Sequence, residues 1–135
     1  MTTEDFFSGK KVVLFAVPGA FTPTCSMAHL PGFVVNADTI IAKGVDTIAC
    51  VSVNDAFVMD AWGKDKNAEA LLMLGDGNGD FTQALGLTMD GSGFGLGQRS
   101  QRYAMIVEDG VVTKLAVEEP GKLEVSAAEA VLESL

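Results

Sequence analysis

The sequence has no Cys-x-x-Cys pair, a single histidine and only two cysteines, Cys25 and Cys50, 25 positions apart. A vicinal dithiol redox pair is therefore excluded, and a structural zinc site has too few Cys and His donors. Basic residues are also scarce: 9 Lys and Arg stand against 18 Asp and Glu, for a net charge of −9. They form no run, so the basic footprint that binds nucleic acid or anionic lipid is missing. No apolar stretch approaches the roughly 18 residues of a membrane-spanning helix. Met1 to Phe7 carries Glu4 and Asp5 and lacks the basic-then-apolar order of a secretory signal. Free thiols in a reducing compartment, the cytoplasm, are the expectation. Linkers, repeats and low-complexity segments are absent too, so residues 1–135 are read as one domain.

What is present alternates strand and helix signals. Lys11 to Val17 is a β-branched apolar run ended by Pro18-Gly19. Thr22-Pro23-Thr24-Cys25 reads as a turn into a helix, with Pro23 tolerated in the first turn and a kink or restart expected at Pro31. From Phe33 to Lys43, Phe33, Ala37, Ile40 and Ile41 share one helical stripe, and Gly44 is the stop. Val45 to Val53 reads as a second strand. Asn54 is placed as the cap of a helix reaching Gly63 or Lys64, with Phe57, Val58 and Ala61 inward. Leu71 to Leu74 is a third strand, Phe81 to Leu85 a short helix, and Thr88 to Gln98 a glycine-rich loop. Arg102 to Val107 and Val111 to Glu118 form a hairpin around Asp109-Gly110. Ser126-Ala127-Ala128-Glu129 reads as a capping box opening a last helix. This order predicts an α/β domain of thioredoxin-like fold, a central mixed β-sheet flanked by helices in three layers.

Cys25 is the first candidate for chemistry. In the first turn of a helix, unpaired N–H groups and the positive end of the dipole favour a thiolate, the reactive form of the thiol. On position alone, a packed and inert thiol fits equally well. Thr22, three residues earlier, can bring a hydroxyl beside the sulfur, although Thr before a helix is commonly a simple cap. Pro18 can cover one side of the site, or merely end its strand. His29, four residues after Cys25, falls on the same helical face; it can touch the site, but a packing or capping role is the first reading.

The stretch Pro18-Gly-Ala-Phe-Thr22-Pro-Thr-Cys25 resembles the PxxxTxxC signature of the peroxiredoxins, and PGAFTPTCSMAHLPGF resembles the peroxiredoxin 5 subfamily in particular. The resemblance continues through Lys43 to Trp62 and Arg99 to Val112. It implies a thiol-dependent peroxidase that reduces hydrogen peroxide and alkyl hydroperoxides through a sulfenic acid, an antioxidant role in cell redox homeostasis. By the same resemblance Cys25 matches the peroxidatic cysteine, Thr22 the hydroxyl, Pro18 the shielding proline and Arg102 the active-site arginine, with Arg99 a supporting residue. A guanidinium is always charged, so it favours a neighbouring thiolate and offers several donors to a polarising O–O bond. No metal or organic cofactor is implied. The implied partners are peroxide, glutathione with glutaredoxin or else thioredoxin as reductant, and a second copy of the chain in a homodimer, with Phe21 and the Phe94–Leu96 loop as contact candidates.

The sequence departs from the family in two places. Val125 stands where some members carry a resolving cysteine, and Cys50 lies in an apolar strand, so a one-cysteine enzyme is expected. The N-terminal β-hairpin usual in the family has no counterpart before Lys11, which would uncover apolar surface. A non-enzymatic redox-sensing or binding module of the same fold is the alternative, disfavoured by the intact Thr22, Cys25 and Arg102 set. Asp76-Gly-Asn-Gly-Asp80 opens like a calcium loop but has Phe81 and Leu87 at the sixth and twelfth positions, and reads as a turn. Gly91, Gly93, Gly95 and Gly97 lack the spacing and the strand–helix context of a dinucleotide loop.

Overall fold

A computed structural model of the chain describes residues 2–135. Five strands form the main sheet: β1 (Lys11–Ala16), β2 (Thr47–Ser52), β3 (Leu72–Gly75), β6 (Tyr103–Glu108) and β7 (Val111–Val117). Their order across it is β3-β2-β1-β6-β7. β1, β2 and β3 run parallel, and β6 and β7 join antiparallel, so the sheet is mixed. β1 is central and wholly apolar after Lys11, as a strand covered on both faces must be.

Alternation along the strands divides the core. Val13 and Phe15, with Ile48, Cys50, Ala104 and Ile106, face one side. There they meet α2 (Leu30–Ala42), α3 (Ala56–Asp65) and α5 (Ala128–Ser134) through Phe33, Ile40, Met59, Trp62 and Val131. Val12, Leu14, Ala16, Val51, Tyr103 and Met105 face the other side, covered by Phe6 of α1 (Thr3–Phe7) and Phe81 of α4 (Asp80–Leu85). The three-layer thioredoxin-like arrangement read from the sequence is the one found.

Several local expectations need correction. Ile41 is exposed, and Leu30 completes the buried stripe of α2 with Phe33, Ala37 and Ile40. The cap of α3 is Asp55, whose carboxylate accepts the Val58 N–H. The Asn54 side chain instead bridges two other segments, its Oδ1 accepting from the Ala20 N–H at 3.0 Å and from the Ser52 hydroxyl at 2.7 Å. The inward face also differs from Phe57, Val58 and Ala61: Met59, Trp62 and Gly63 are the buried positions of α3, and Phe57 is 88% exposed. The glycine-rich stretch is not all loop, because β4 (Thr88–Asp90) pairs with β5 (Gln98–Ser100) across a 3-10 turn at Ser92–Phe94. The last helix has no capping box: Ala127 occupies the cap position, and the Ser126 hydroxyl donates to Glu118 instead. The Asp109-Gly110 turn does close its hairpin, with positive φ at both residues, 49° and 81°.

Candidate active site

β1 delivers the chain to Pro18, and a compact loop follows. The Thr22 N–H and the Thr22 hydroxyl both donate to the Gly19 carbonyl, at 3.3 and 2.6 Å. The Ser26 N–H donates to the Thr22 carbonyl. Cys25 then opens a π-helical turn, Cys25–His29, that runs directly into α2. The change from π turn to α-helix falls at Leu30, one residue before Pro31, where the sequence placed a kink or restart and where proline supplies no N–H to continue the wider ladder. The wider π turn places both Cys25 and His29 inward.

Arg102 reaches this turn from the residue preceding β6. One guanidinium nitrogen, Nη2, donates to Cys25 Sγ at 3.1 Å. The other, Nη1, lies 2.8 Å from His29 Nδ1. A guanidinium has only donors, so Nδ1 is the acceptor and the ring proton sits on Nε2. Nε2 then donates to the Ser126 carbonyl at 2.9 Å. His29 stacks obliquely on Phe15 and Phe33 and is 1% exposed. Burial lowers its pKa from 6.5 to about 4, and the Arg102 charge acts in the same direction against the bond to Ser126. The ring is therefore neutral at pH 7. Its place beside Arg102 is more than the packing role read from the sequence. The signal was present in its i+4 spacing from Cys25, but its partner lies 73 residues away in the chain.

The remaining expected residues are distributed around this pair. Pro18, Thr24 and Arg102 line a cleft of about 720 Å³, together with Met89, Phe94 and Pro120. Cys25 is 1% exposed behind that floor. The Thr22 hydroxyl proton is committed to Gly19, so toward an incoming group the oxygen offers a lone pair. Arg99, in β5, donates to the Leu96 and Val53 carbonyls and so ties β5 to the turn before it and to the segment after β2. Ser26 receives the Trp62 indole N–H at 2.9 Å, which puts the single tryptophan one residue from Cys25.

Cys50 belongs to a different environment. It lies at the middle of β2, paired with Phe15 and Met73, and is fully buried. Burial pushes its thiol well above the usual range. Among the described residues both cysteines are free, and no group of three or more His, Cys, Asp or Glu is placed to hold a metal. A separate apolar cavity of about 230 Å³ lies between α1 and the far face of the sheet, lined by Phe6, Phe7, Leu14, Val51, Leu74 and Phe81. It contains none of the residues above.

The Redoxin family model matches residues 1–132. The chain belongs to the Redoxin family. Within it the chain is similar to peroxiredoxins. It is 52% identical to peroxiredoxin-2E, chloroplastic, of Arabidopsis thaliana, over the whole of this chain and 59% of that protein. The redoxin chain thus spans less than two thirds of that relative's length. Reduced Prx3 from Vibrio vulnificus, solved in complex with H2O2, is 65% identical and superposes with a TM-score of 0.97 over 100% of this chain and 88% of that one. Peroxiredoxin 5 of Alvinella pompejana is 39% identical with a TM-score of 0.87, over 97% of this chain and 82% of that one. These likenesses place the chain among the peroxiredoxins of the peroxiredoxin 5 kind, as the motif around Cys25 led us to expect. No helix among the described residues is long and apolar enough to cross a membrane.

Proposed function

We propose that the chain is a one-cysteine thiol peroxidase that reduces hydrogen peroxide and alkyl hydroperoxides at Cys25. The observation that carries this reading is the Arg102 guanidinium 3.1 Å from the Cys25 sulfur. The guanidinium holds the sulfur in place and keeps further donors for the peroxide oxygens, and a cysteine attacks as its thiolate. The thiolate attacks the terminal oxygen of the peroxide in line with the O–O bond. An S–O bond forms as the O–O bond breaks, the sulfur is oxidised to a sulfenic acid, and hydroxide or alkoxide departs to take a proton from water. Arg102 stabilises the charge that develops on the two oxygens. The free lone pair of Thr22 accepts the peroxide O–H and orients it, and Pro18 keeps water off one side. Thr24 and the apolar Met89, Phe94 and Pro120 give the cleft a surface that an alkyl group can occupy.

An external thiol then attacks the sulfenic sulfur, water leaves, and a second thiol resolves the mixed disulfide. Glutathione with glutaredoxin, or thioredoxin, has this chemistry. Cys50 takes no part, since a fully buried thiol pushed upward in pKa is neither ionised nor reachable. Two free cysteines fit a reducing compartment such as the cytoplasm. The working form is a homodimer that covers Phe21 and Phe94.

Stopped-flow mixing of the reduced protein with one equivalent of hydrogen peroxide, followed by Trp62 fluorescence and dimedone trapping, tests the reading. Oxidation far faster than that of a free thiol is expected, with dimedone on Cys25 and none on Cys50, and Cys25→Ser should abolish it. Peroxide consumption that survives Cys25→Ser would sink the proposal and leave a redox-sensing module as the better description.

A further inference from the structure

The cluster beyond His29 is built more heavily than packing requires. Glu118 follows β7, and one of its carboxylate oxygens, Oε2, accepts three donors: the Glu124 N–H at 2.7 Å, the Ser126 N–H at 2.8 Å and the Ser126 hydroxyl at 2.7 Å. The Glu118 N–H in turn donates to the Arg102 carbonyl at 2.9 Å. Glu118 and Ser126 are both buried. Burial alone would raise the Glu118 pKa, but the three bonds and the nearby His29 reverse the direction, so the carboxyl is held below its ordinary value. The segment from Glu119 to Val125 is therefore a loop closed at its base by one ionised oxygen. The product of that closure is the Ser126 carbonyl, presented to His29 Nε2.

We propose that Glu118 is a positioning residue for peroxide reduction: by clamping residues 124–126 it fixes the Ser126 carbonyl, which holds His29 as the Nε2–H tautomer and so aims Arg102 at Cys25. The inference rests on the peroxidase reading of Cys25. The logic is one of directed hydrogen bonds. The Ser126 carbonyl accepts only, so it keeps the ring proton on Nε2. Nδ1 then carries a lone pair for Arg102 Nη1, and with Nη1 tethered the planar guanidinium has one orientation that also sets Nη2 on the sulfur. Release of the clamp lets the carbonyl turn away, the ring exchange tautomers, and Arg102 lose its tether. The Glu118 carboxylate makes no hydrogen bond or ion pair with the sulfur or with the Arg102 guanidinium, so its side chain acts on them through Ser126 and His29; the Glu118 N–H bond to the Arg102 carbonyl is backbone and is kept in every variant at this position.

Three readouts test it. Nitrogen NMR of His29 in the unaltered protein should show the Nε2–H tautomer, and an Nδ1–H ring would overturn the proposal outright. Glu118→Ala should slow single-turnover oxidation by peroxide about 10- to 100-fold, the scale of a small misplacement in an active site. It should also slow alkylation of Cys25 by iodoacetamide and mix the ring tautomers. Glu118→Gln, which keeps an acceptor oxygen and the fold, should recover most of the rate. The decisive comparison is in the His29→Ala background, where Glu118→Gln and Glu118→Ala should cause no further loss, because the path is already cut. Equal losses with and without His29 would show a general structural role and overturn the relay. Failure of the peroxidase reading has a different signature: the unaltered protein itself would react with peroxide no faster than a free thiol. The tautomer and the iodoacetamide series would still decide for or against the relay.

Discussion

At the scale of single residues, His29 carries a consequence for stability that is separate from catalysis. Its pKa falls from 6.5 in an exposed chain to about 4 in the folded protein, chiefly through burial and then through Arg102. Arg102 and Glu118 are the charged groups that act on the ring, and Ser126 is its backbone partner. Between about pH 4 and 6.5 the unfolded chain binds a proton that the folded chain refuses. Stability then rises with pH across that window and is lost on acidification. A displacement of about two and a half units, at about 1.4 kcal/mol per unit, corresponds to about 3 kcal/mol. Glu118 adds to the loss in the same direction, since a carboxyl held below its usual value contributes stability that disappears as pH falls through its folded pKa. Urea unfolding at pH 7 and pH 5 should show the unaltered protein weaker at pH 5. His29→Gln, which cannot take up the proton, should lose most of that difference. A pH dependence unchanged by His29→Gln would mean that other groups cause it.

At the scale of elements, the loops that carry the site are held by neighbours that leave no room for a larger residue. Gly75 ends β3, and a Cβ there would lie 2.7 Å from the Ala56 nitrogen and 2.9 Å from the Asn54 carbonyl oxygen. Both obstacles are backbone and cannot swing aside. Gly75→Ala should therefore displace the β2–α3 connection at a cost of about 1–3 kcal/mol, the range for overpacking. The shift would reach the Asn54 side chain, which holds Ala20 in the loop before Cys25. Chemical denaturation together with the peroxide rate would check this, and an unchanged midpoint of unfolding would refute it. The same connection shows how far the sequence could be read. The strands, the Asp109-Gly110 hairpin and the motif around Cys25 were legible because each depends on local pattern or turn chemistry. Asn54 and Ser126 were misread for one shared reason. Each is a good local cap, but each spends its side chain on a partner outside the helix it precedes, Ala20 and Glu118 respectively. The Arg102–His29–Cys25 contacts span 73 and 77 positions, so periodicity gave no sign of the bonds, and only the family resemblance pointed to Arg102.

At the scale of the whole molecule, exposed aromatic rings and net charge pull in opposite directions. Phe94 is 88% exposed and Phe21 is 53% exposed, the first in the turn between β4 and β5, the second in the loop before Cys25. Phe21 also holds a positive φ of 64°, an unfavourable conformation for a large residue, and its ring sits 6.4 Å from that of Trp62. Phe94 lines the cleft that holds Arg102, and exposed rings that group into one patch are the kind of surface a second copy covers. Against association stands the net charge of −9 on each copy, which makes two copies repel. A homodimer through these rings should therefore tighten as salt is added, since a Debye length near roughly 8 Å at physiological ionic strength screens the repulsion and leaves apolar burial untouched. Sedimentation at micromolar concentration should show the dimer fraction rising with salt, and Phe94→Glu, which adds a charge where a ring should be buried, should leave the monomer at every salt concentration. An interface held by ion pairs would behave the opposite way and loosen with salt. A monomer throughout, with Phe94 intact, would mean that the exposed rings serve the cleft and not a second copy.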